Sequence, residues 1–239
     1  MAGFFYELGK MVGPGLRKAG WVYRSVAGTE AEAARAEYAV GRDLARALTE
    51  QLEVERDPAV AALLDDLGAR LTGCLKQPRA FAFRAVHSAE VNAFALPGGF
   101  VFVTRGLLDF SGGDRDELAF VLGHEMAHVV RRHAIDRLLA HSVLGAAIRR
   151  LTPGGLLQRP LAGLAGTLLN RGYSREQELE ADRLGVRLVH CAGLDTTAAA
   201  RLLARLQALA GDVSVMGSYL SSHPPAAVRI GQLKRLPRG

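Results

Sequence analysis

The segment His124-Glu-Met-Ala-His128 lies in a stretch that is predicted to form the longest helix of the chain. Asp114 and Glu117 mark the start of this helix, which is predicted to run to about His141. Two histidines four residues apart on a helix project from one face, so both imidazoles can reach the same tetrahedral metal ion. Glu125 lies about 100° round the helix and can approach the open coordination position of that ion.

This spacing predicts a zinc-dependent hydrolase. In such a site the metal lowers the pKa of a bound water towards about 7, and a glutamate takes the proton and delivers it to the leaving amine. We therefore predict that His124 and His128 bind one Zn²⁺ per subunit and that Glu125 is the catalytic base and acid. The alternative is a coincidental match on a charged helix, which has a likelihood of about 3% for three fixed residues in a chain of this length.

A catalytic zinc needs a third protein ligand. The metzincin extension would require glycine at position 131 and histidine at position 134, where the chain has Arg131 and Ala134, so that class is excluded. His133 is nine residues after His124, about 180° round a continuous helix. We therefore expect His133 to point away from the metal, in a structural or surface role.

The helix that begins with the capping box of Ser174 and Gln177 carries the remaining candidates. Its first turns contain four acidic residues: Glu176, Glu178, Glu180 and Asp182. Glu178 and Asp182 are four residues apart and therefore share a face. One carboxylate as ligand, with a second that orients a histidine through its other ring nitrogen, would complete and brace a zinc site. A solvated acidic face is the alternative interpretation.

Taken together, His124-Glu-Met-Ala-His128 and Ser174-Arg-Glu-Gln-Glu-Leu-Glu-Ala-Asp182 resemble the motifs of the M48 metallopeptidases, a group of gluzincins. The resemblance implies that Glu178 is the third zinc ligand, because the family pattern places this glutamate three residues after Arg175 and four before Asp182. It also implies that the chain is an endopeptidase with a polypeptide substrate. The first functional hypothesis is therefore an active endopeptidase that acts on unfolded or damaged protein.

The resemblance covers roughly residues 57 to 235. Val91-Asn-Ala-Phe-Ala-Leu-Pro-Gly-Gly99 is similar to the family's segment leading into its sheet, and Ser222-His-Pro with Arg229 is similar to its C-terminal motif. The resemblance implies that His223 can approach the zinc in a resting state, although an ordinary loop histidine is the alternative. Arg229 is expected either to stabilise the oxyanion or to anchor its loop.

Three short strands are predicted near the middle of the chain, at Phe81–Val86, Val91–Leu96 and Phe100–Thr104, with Pro97-Gly98-Gly99 as a turn. A sheet edge offers backbone hydrogen bonds to an extended peptide whatever its side chains are. The expected substrate strand comprises Asn92, Ala93, Phe94 and Ala95. The expected fold class is α+β: a mainly helical zincin-type metallopeptidase domain with a small antiparallel β-sheet beside the histidine helix.

Further helices are predicted from local signals. A capping box at Thr29 and Glu32 begins a helix to about Glu53, and Asp57 with Pro58 begins the next. Two more are expected after the acidic helix, over residues 196–209 and at the basic C-terminus. We expect two parts: an N-terminal helical segment over residues 1–56, packing on or preceding the catalytic domain, and a peptidase domain over residues 57–239.

The amino-acid composition limits the classes of binding partner that can be expected. The 239 residues include 30 Lys and Arg against 24 Asp and Glu, a net charge of +6 that would favour an anionic membrane surface. Only 6% of residues are aromatic, without the stacking pattern of RNA-binding modules, so no nucleic-acid partner is expected. Cys74 and Cys191 are interpreted as small buried residues that form neither a disulfide framework nor a zinc site.

No signal peptide or membrane span is predicted, since charges and prolines interrupt the apolar stretches. The expected location is cytoplasmic with possible peripheral membrane contact, and the transmembrane helices of the membrane-integral M48 members are lacking. The amphipathic segment 142–169 could cover the cleft as a lid or contact a membrane. A second functional hypothesis is therefore a chaperone-like or membrane-surface binding protein that retains a structural zinc.

Overall fold

A computed structural model describes residues 29–134, 136, 172–209, 223, 226–233 and 235. The predicted lid or membrane segment 142–169 lies outside this part of the chain. Within it the elements follow in this order: α1 (Glu30–Thr49), α2 (Pro58–Gly73), β1 (Ala82–Val86), β2 (Ala93–Leu96), β3 (Phe100–Thr104), α3 (Arg105–Ser111), α4 (Arg115–Val130), α5 (Arg175–Cys191), α6 (Thr197–Ala208) and α7 (Ala226–Leu233). The α+β prediction is confirmed, since helices dominate and the sheet is small.

The predicted helix starts are confirmed by their caps. The Thr29 hydroxyl accepts from the Glu32 amide and the Ser174 hydroxyl from the Gln177 amide, so α1 and α5 both begin with a complete capping box. Asp57 caps α2, with proline at its first position. Helix α3 was not predicted from the sequence; the Thr104 hydroxyl caps it directly after the last strand.

The predicted extension of the histidine helix to His141 is wrong. Helix α4 ends at Val130, where the Arg131 amide donates to the Ala127 carbonyl, and Arg132 adopts a left-handed backbone with φ of 59°. An L-residue in this region reverses the chain direction, as at many helix ends. Residues after Arg132 therefore do not continue the angular progression of α4.

The sheet is mixed, so the prediction of an antiparallel sheet is wrong in part. Its strand order is β1-β3-β2, with β2 antiparallel and β1 parallel to β3. The turn at Gly98 and Gly99, with φ of 79° and 98°, joins β2 to β3 as a hairpin, and both angles favour glycine. Because β3 occupies the place beside β1, strand β2 is left at an edge of the sheet.

The core lies between the sheet and the helices that pack on it. Helix α2 packs against β1, and α4 packs against β2, α2, α5 and α6. Helix α1 is tied to this unit through Glu37, which is 1% exposed and binds Arg79 and Arg132 at 3.2 and 2.6 Å. No helix in the described part of the chain combines the length and apolar character that a membrane crossing requires.

Cys74 and Cys191 form a disulfide, so their interpretation as unpaired buried residues is wrong. Cys74 is the C-cap of α2 and Cys191 is the last residue of α5, with a sequence separation of 117. The first cysteine is half-buried and the second is exposed. The bridge thus joins the C-terminal ends of two helices that lie far apart in sequence, and no CxxC spacing announces such a pair.

Candidate metal centre

The centre is built where α4 crosses α5 at two glycines. A Cβ on Gly185 would lie 3.0 Å from the His124 amide nitrogen, and one on Gly123 would lie 3.2 Å from the Gly185 carbonyl oxygen. The two backbones are therefore in direct contact. Because Gly185 follows Glu178 by two helical turns, this contact brings the acidic face of α5 against the histidine face of α4.

Three side chains converge at this crossing. The Nε2 atoms of His124 and His128 lie 3.1 Å apart, close to the roughly 3.3 Å that separates two ligands of one tetrahedral zinc. The Glu178 carboxylate faces both rings, with Oε2 3.5 Å from His124 Nε2 and Oε1 3.3 Å from His128 Nε2. Including His223, the four potential ligand atoms all lie within 4.8 Å of one another.

The Glu178 carboxylate fits a cation. The residue is 0% exposed, and its Oε2 atom has no hydrogen-bond partner among the residues that the structure describes. Burial would raise its pKa, but the charges of His223, His124 and Arg229 outweigh burial and hold the pKa well below its ordinary value. A buried anionic oxygen without a hydrogen bond, facing two imidazole nitrogens, is the donor set that a zinc ion requires.

Asp182 and Arg229 support the His124 side. His124 Nδ1 lies 2.9 Å from Asp182 Oδ1, and Arg229 donates to both Asp182 oxygens from Nε and Nη2, at 2.9 and 2.7 Å. Burial would raise the pKa of Asp182, but the Arg229 and His124 contacts outweigh it and hold the pKa well below its ordinary value. The carboxylate can only accept, so Nδ1 of His124 carries the hydrogen and Nε2 offers a lone pair.

The charged groups around His124 also change its pKa. Burial and the positive charge of Arg229 oppose protonation, but the carboxylates of Glu178 and Asp182 outweigh them and raise the pKa of His124.

Arg229 joins α7 to α5 by a two-point ion pair with Asp182. Two of its nitrogens contact Asp182, and its Nη1 lies 3.4 Å from Glu178 Oε2.

The His128 side is supported by rings. His133 is 2% exposed and its Nδ1 lies 3.0 Å from Nδ1 of His128, so it packs behind this imidazole and is not among the residues whose atoms could hold the metal. What is wrong is the continuous helix from which its angle was calculated. The left-handed turn at Arg132 redirects the chain, and no glycine or proline in the sequence marks that helix end. Tyr173 stacks on His128 with ring centroids 3.7 Å apart. Burial lowers the pKa of His128 well below its ordinary value.

Glu125 and His223 lie on the remaining side of the site. Both are buried, at 2% and 4% exposure, and His223 Nε2 is 3.8 Å from Glu125 Oε1. His223 Nδ1 lies 2.8 Å from Glu178 Oε1. The structure therefore places this histidine of the C-terminal motif beside both the carboxylate of the ligand group and the expected catalytic residue.

The expected substrate strand lies next to the ligands. A cavity opens between the end of β2 and α4, and its lining includes Ala95, Leu96, His128 and Tyr173. The edge strand β2 is formed by Ala93–Leu96, whereas Asn92 precedes it and exchanges hydrogen bonds with Thr104. Ala93 and Phe94 are buried and Ala95 is half-buried. The strand edge and the ligand cluster thus border the same space.

A sequence profile of peptidase family M48 matches residues 55–236. The chain belongs to peptidase family M48. The matched range contains both helices of the ligand cluster and the whole sheet. The resemblance drawn from the two motifs is thereby confirmed for most of the chain.

Several named peptidases are similar to this chain over part of their own length. The mitochondrial metalloendopeptidase OMA1 of Schizosaccharomyces pombe is 38% identical over 148 residues, which cover 60% of this chain and 42% of that protein. OMA1 of Arabidopsis thaliana is 37% identical over 148 residues, covering 60% of this chain and 29% of that protein. The β-barrel assembly-enhancing protease of Yersinia pestis is 30% identical over 200 residues, covering 79% and 41%. The chain thus spans less than half the length of these relatives.

Proposed function

We propose that this chain is a zinc-dependent endopeptidase. The observation that carries the proposal is the convergence of His124, His128 and Glu178, with a buried oxygen of Glu178 that no hydrogen bond satisfies among the described residues. A zinc ion held by these three side chains would polarise a peptide carbonyl and lower the pKa of an adjacent water molecule. Membership of peptidase family M48 and the similarity to a metalloendopeptidase and a β-barrel assembly-enhancing protease support this function.

The protein's own groups account for the other requirements of the reaction. Glu125 lies on α4 between the two histidines, within reach of the same space, and would take a proton from water and deliver it to the leaving amine. The edge of β2 would hold the substrate by backbone hydrogen bonds. Because only an extended segment can pair with a strand edge, unfolded or damaged polypeptides are the proposed substrates.

His223 is proposed to hold a resting state. Its position between Glu178 and Glu125 would have to be vacated before a peptide reaches both groups. Activity in His223→Ala should then exceed that of the unchanged protein. Equal activities of the two proteins would count against a gating role and favour an ordinary loop histidine.

The decisive test compares the unchanged protein with Glu125→Gln, both loaded with zinc, on casein as an unfolded substrate. Zinc content should stay at one ion per chain in both, while turnover by the variant should fall by about 10²- to 10⁴-fold, the usual contribution of a positioned acid or base. Glu176→Gln is the matched control, since this glutamate is exposed on α5. A zinc-loaded unchanged protein that does not cleave would favour the chaperone-like or membrane-surface alternative.

The division at residue 57 and the cellular location also belong to this proposal. We propose that residues 57–239 form the peptidase domain and that α1 docks on it through Glu37.

A cytoplasmic location is what the sequence predicts, but the Cys74–Cys191 disulfide favours an oxidising compartment. Alkylation of the protein in intact cells, followed by mass measurement, distinguishes the two locations. Cys74 and Cys191 would be free thiols, and would therefore be alkylated, only in a reducing compartment.

A further inference from the structure

His133 is a buried side chain that follows the end of α4 and contacts His128, and it stands in the middle of a row of three interacting side chains. His128 Nδ1 lies 3.0 Å from His133 Nδ1, and His133 Nε2 lies 3.4 Å from Glu180 Oε2. Glu180 is also bound through Oε1 to Arg131 Nε at 3.0 Å. A row of contacts therefore leads from the ion pair of Glu180 and Arg131, through the imidazole of His133, to the ring of His128.

The turn that delivers His133 is itself fixed. Arg132, with its left-handed backbone, donates from Nε to the buried Glu37 of α1 at 2.6 Å, and Arg131 pairs with Glu180 of α5. Two ion pairs to two different helices thus hold the residues just before His133. This makes the position of His133 a product of the fold and not of the helical spacing.

The hydrogens along this row of side chains can be arranged in two ways. Between two Nδ1 atoms one must donate and the other accept. If His133 donates, His128 must carry its own hydrogen on Nε2, where no lone pair remains for a metal, and His133 would turn a lone pair towards the Glu180 carboxylate. If His128 donates, His133 carries its hydrogen on Nε2 and donates it to Glu180. Only the second arrangement gives both His133 and Glu180 a hydrogen-bond partner along this row and leaves Nε2 of His128 with a lone pair for a metal ion.

We propose that His133, oriented by Glu180, is a positioning residue that keeps the hydrogen of His128 on Nδ1 and its Nε2 lone pair towards the metal. The inference rests on the proposed zinc site but not on peptidase turnover. Glu180 thereby acquires a role parallel to that of Asp182: both are carboxylates of α5, and each orients one of the two histidines of α4, the first through an intervening ring and the second directly.

The first test is zinc affinity measured by competition with a chromophoric chelator. His133→Leu removes the acceptor and should weaken zinc binding by about tenfold, the low end of the usual effect of a group that orients a metal ligand. His133→Asn has the same branching at Cγ as leucine but places an amide oxygen near the former Nδ1, so its zinc affinity should stay within about threefold of that of the unchanged protein. His190→Leu, at an exposed position of α5, is the control. Equal losses in the Leu and Asn variants would overturn the proposal.

A double-mutant cycle tests whether Glu180 acts through His133. Glu180→Leu alone should weaken zinc binding a few-fold, and adding it to His133→Leu should cause no further loss, because the ring through which it acts is gone. Additive losses would show that Glu180 influences the site by another route and would overturn its part in this row.

The third test needs no variant. In the zinc-free protein, imidazole ¹⁵N chemical shifts distinguish a hydrogen on Nδ1 from one on Nε2, and His128 should carry its hydrogen on Nδ1. Finding it on Nε2 in the unchanged protein would overturn the proposal even if none of the variants folds. Failure of the proposed function would look different, since a protein that binds zinc with the expected tautomer and yet does not cleave casein refutes the peptidase and leaves this inference standing.

Discussion

The two histidines of α4 present the same nitrogen to the metal position but are supported in opposite ways. His124 is supported by an anion: the Asp182 carboxylate lies 2.9 Å from its Nδ1 and is bound in turn by Arg229. His128 is supported by two aromatic rings: its Nδ1 contacts the imidazole of His133, and Tyr173 stacks on its face. The first side is a charged network between helices, and the second is formed by a turn after the helix has ended.

The difference separates two ways of making an imidazole a good ligand. The carboxylates near His124 make its Nε2 atom a better electron-pair donor to a metal ion. They also raise the pKa of His124, so zinc must compete with a proton for this ring. Burial on the other side lowers the pKa of His128 and keeps that ring neutral. A charge-assisted hydrogen bond is roughly twice as strong as a neutral one, so the His124 side should lose more when its support is removed.

The largest effect is expected from the one side chain that both sides share. Glu178→Gln replaces the carboxylate that faces both rings with an amide, which is a poor zinc ligand, and zinc affinity should fall at least about a hundredfold. Chelator competition and metal analysis of the purified protein measure this loss. Glu176→Gln, two residues earlier and exposed, should retain the original affinity. An unchanged affinity in Glu178→Gln would remove the third ligand from the assignment.

A smaller effect is expected when only the His124 side is disturbed. Asp182→Asn keeps the shape of the side chain but exchanges an anion for a neutral amide, so zinc affinity should fall by up to about a hundredfold, more than in His133→Leu. The variant also leaves Arg229 as a buried charge without its two-point partner, which destabilises the fold.

Adding Arg229→Met to Asp182→Asn should restore part of the unfolding free energy without restoring zinc binding. Urea unfolding of the zinc-free proteins separates these two consequences. If His133→Leu cost more zinc affinity than Asp182→Asn, the proposed ranking of the two sides would be wrong.

The helix crossing offers another way to disturb the site, through the backbone of His124. In Gly185→Ala the new methyl group would lie 3.0 Å from the His124 amide nitrogen, so α4 and α5 must separate by a few tenths of an ångström. Such overpacking costs about 1–3 kcal/mol of unfolding free energy, and zinc affinity should fall with it. Gly231→Ala on α7 meets nothing within 4 Å and should be neutral. Equal behaviour of the two variants would mean that the crossing does not position the ligands.

Local signals predicted much of this architecture, because they depend on near neighbours. The capping residues gave the starts of α1, α2 and α5, and the hairpin of β2 and β3 followed from the Pro97–Gly99 turn. The clustering of His124, His128 and Glu178 in the structure matches the spacing of two short motifs. Helical periodicity and capping act over a few residues, so a single sequence contains the information they need.

The errors arose where contacts distant in sequence decide the outcome. The end of α4 depends on Glu37, 95 residues before Arg132, and nothing in the sequence around His133 marks that turn. The parallel pairing of β1 with β3 and the Cys74–Cys191 bridge likewise depend on how separate elements pack. The angle of His133 was calculated on a helix that had already ended three residues before it.

The smallest effect is expected at the N-terminus of α4, far from both sides of the site. Asp114 accepts from the amides of Asp116 and Glu117 and pairs with Arg201 at 2.8 Å. Burial would raise its pKa, but the Glu117 amide and Arg201 outweigh burial and lower the pKa below 3.8. The carboxylate therefore stabilises the fold at pH values above 3.8, and this contribution is lost as the pH falls through the lower pKa of the folded state.

Asp114→Ala should accordingly lower the unfolding free energy by about 1 kcal/mol at pH 7, as for other N-cap residues, and leave zinc affinity per folded molecule unchanged. The difference between variant and unchanged protein should shrink as the pH is lowered towards 3, which urea unfolding of the zinc-free proteins at several pH values can follow. A gap that stays constant over this range would assign the stabilisation to packing and not to the ionised cap. A loss of zinc affinity in this variant would mean that the start of α4, and not only its supported histidines, controls the ligand geometry.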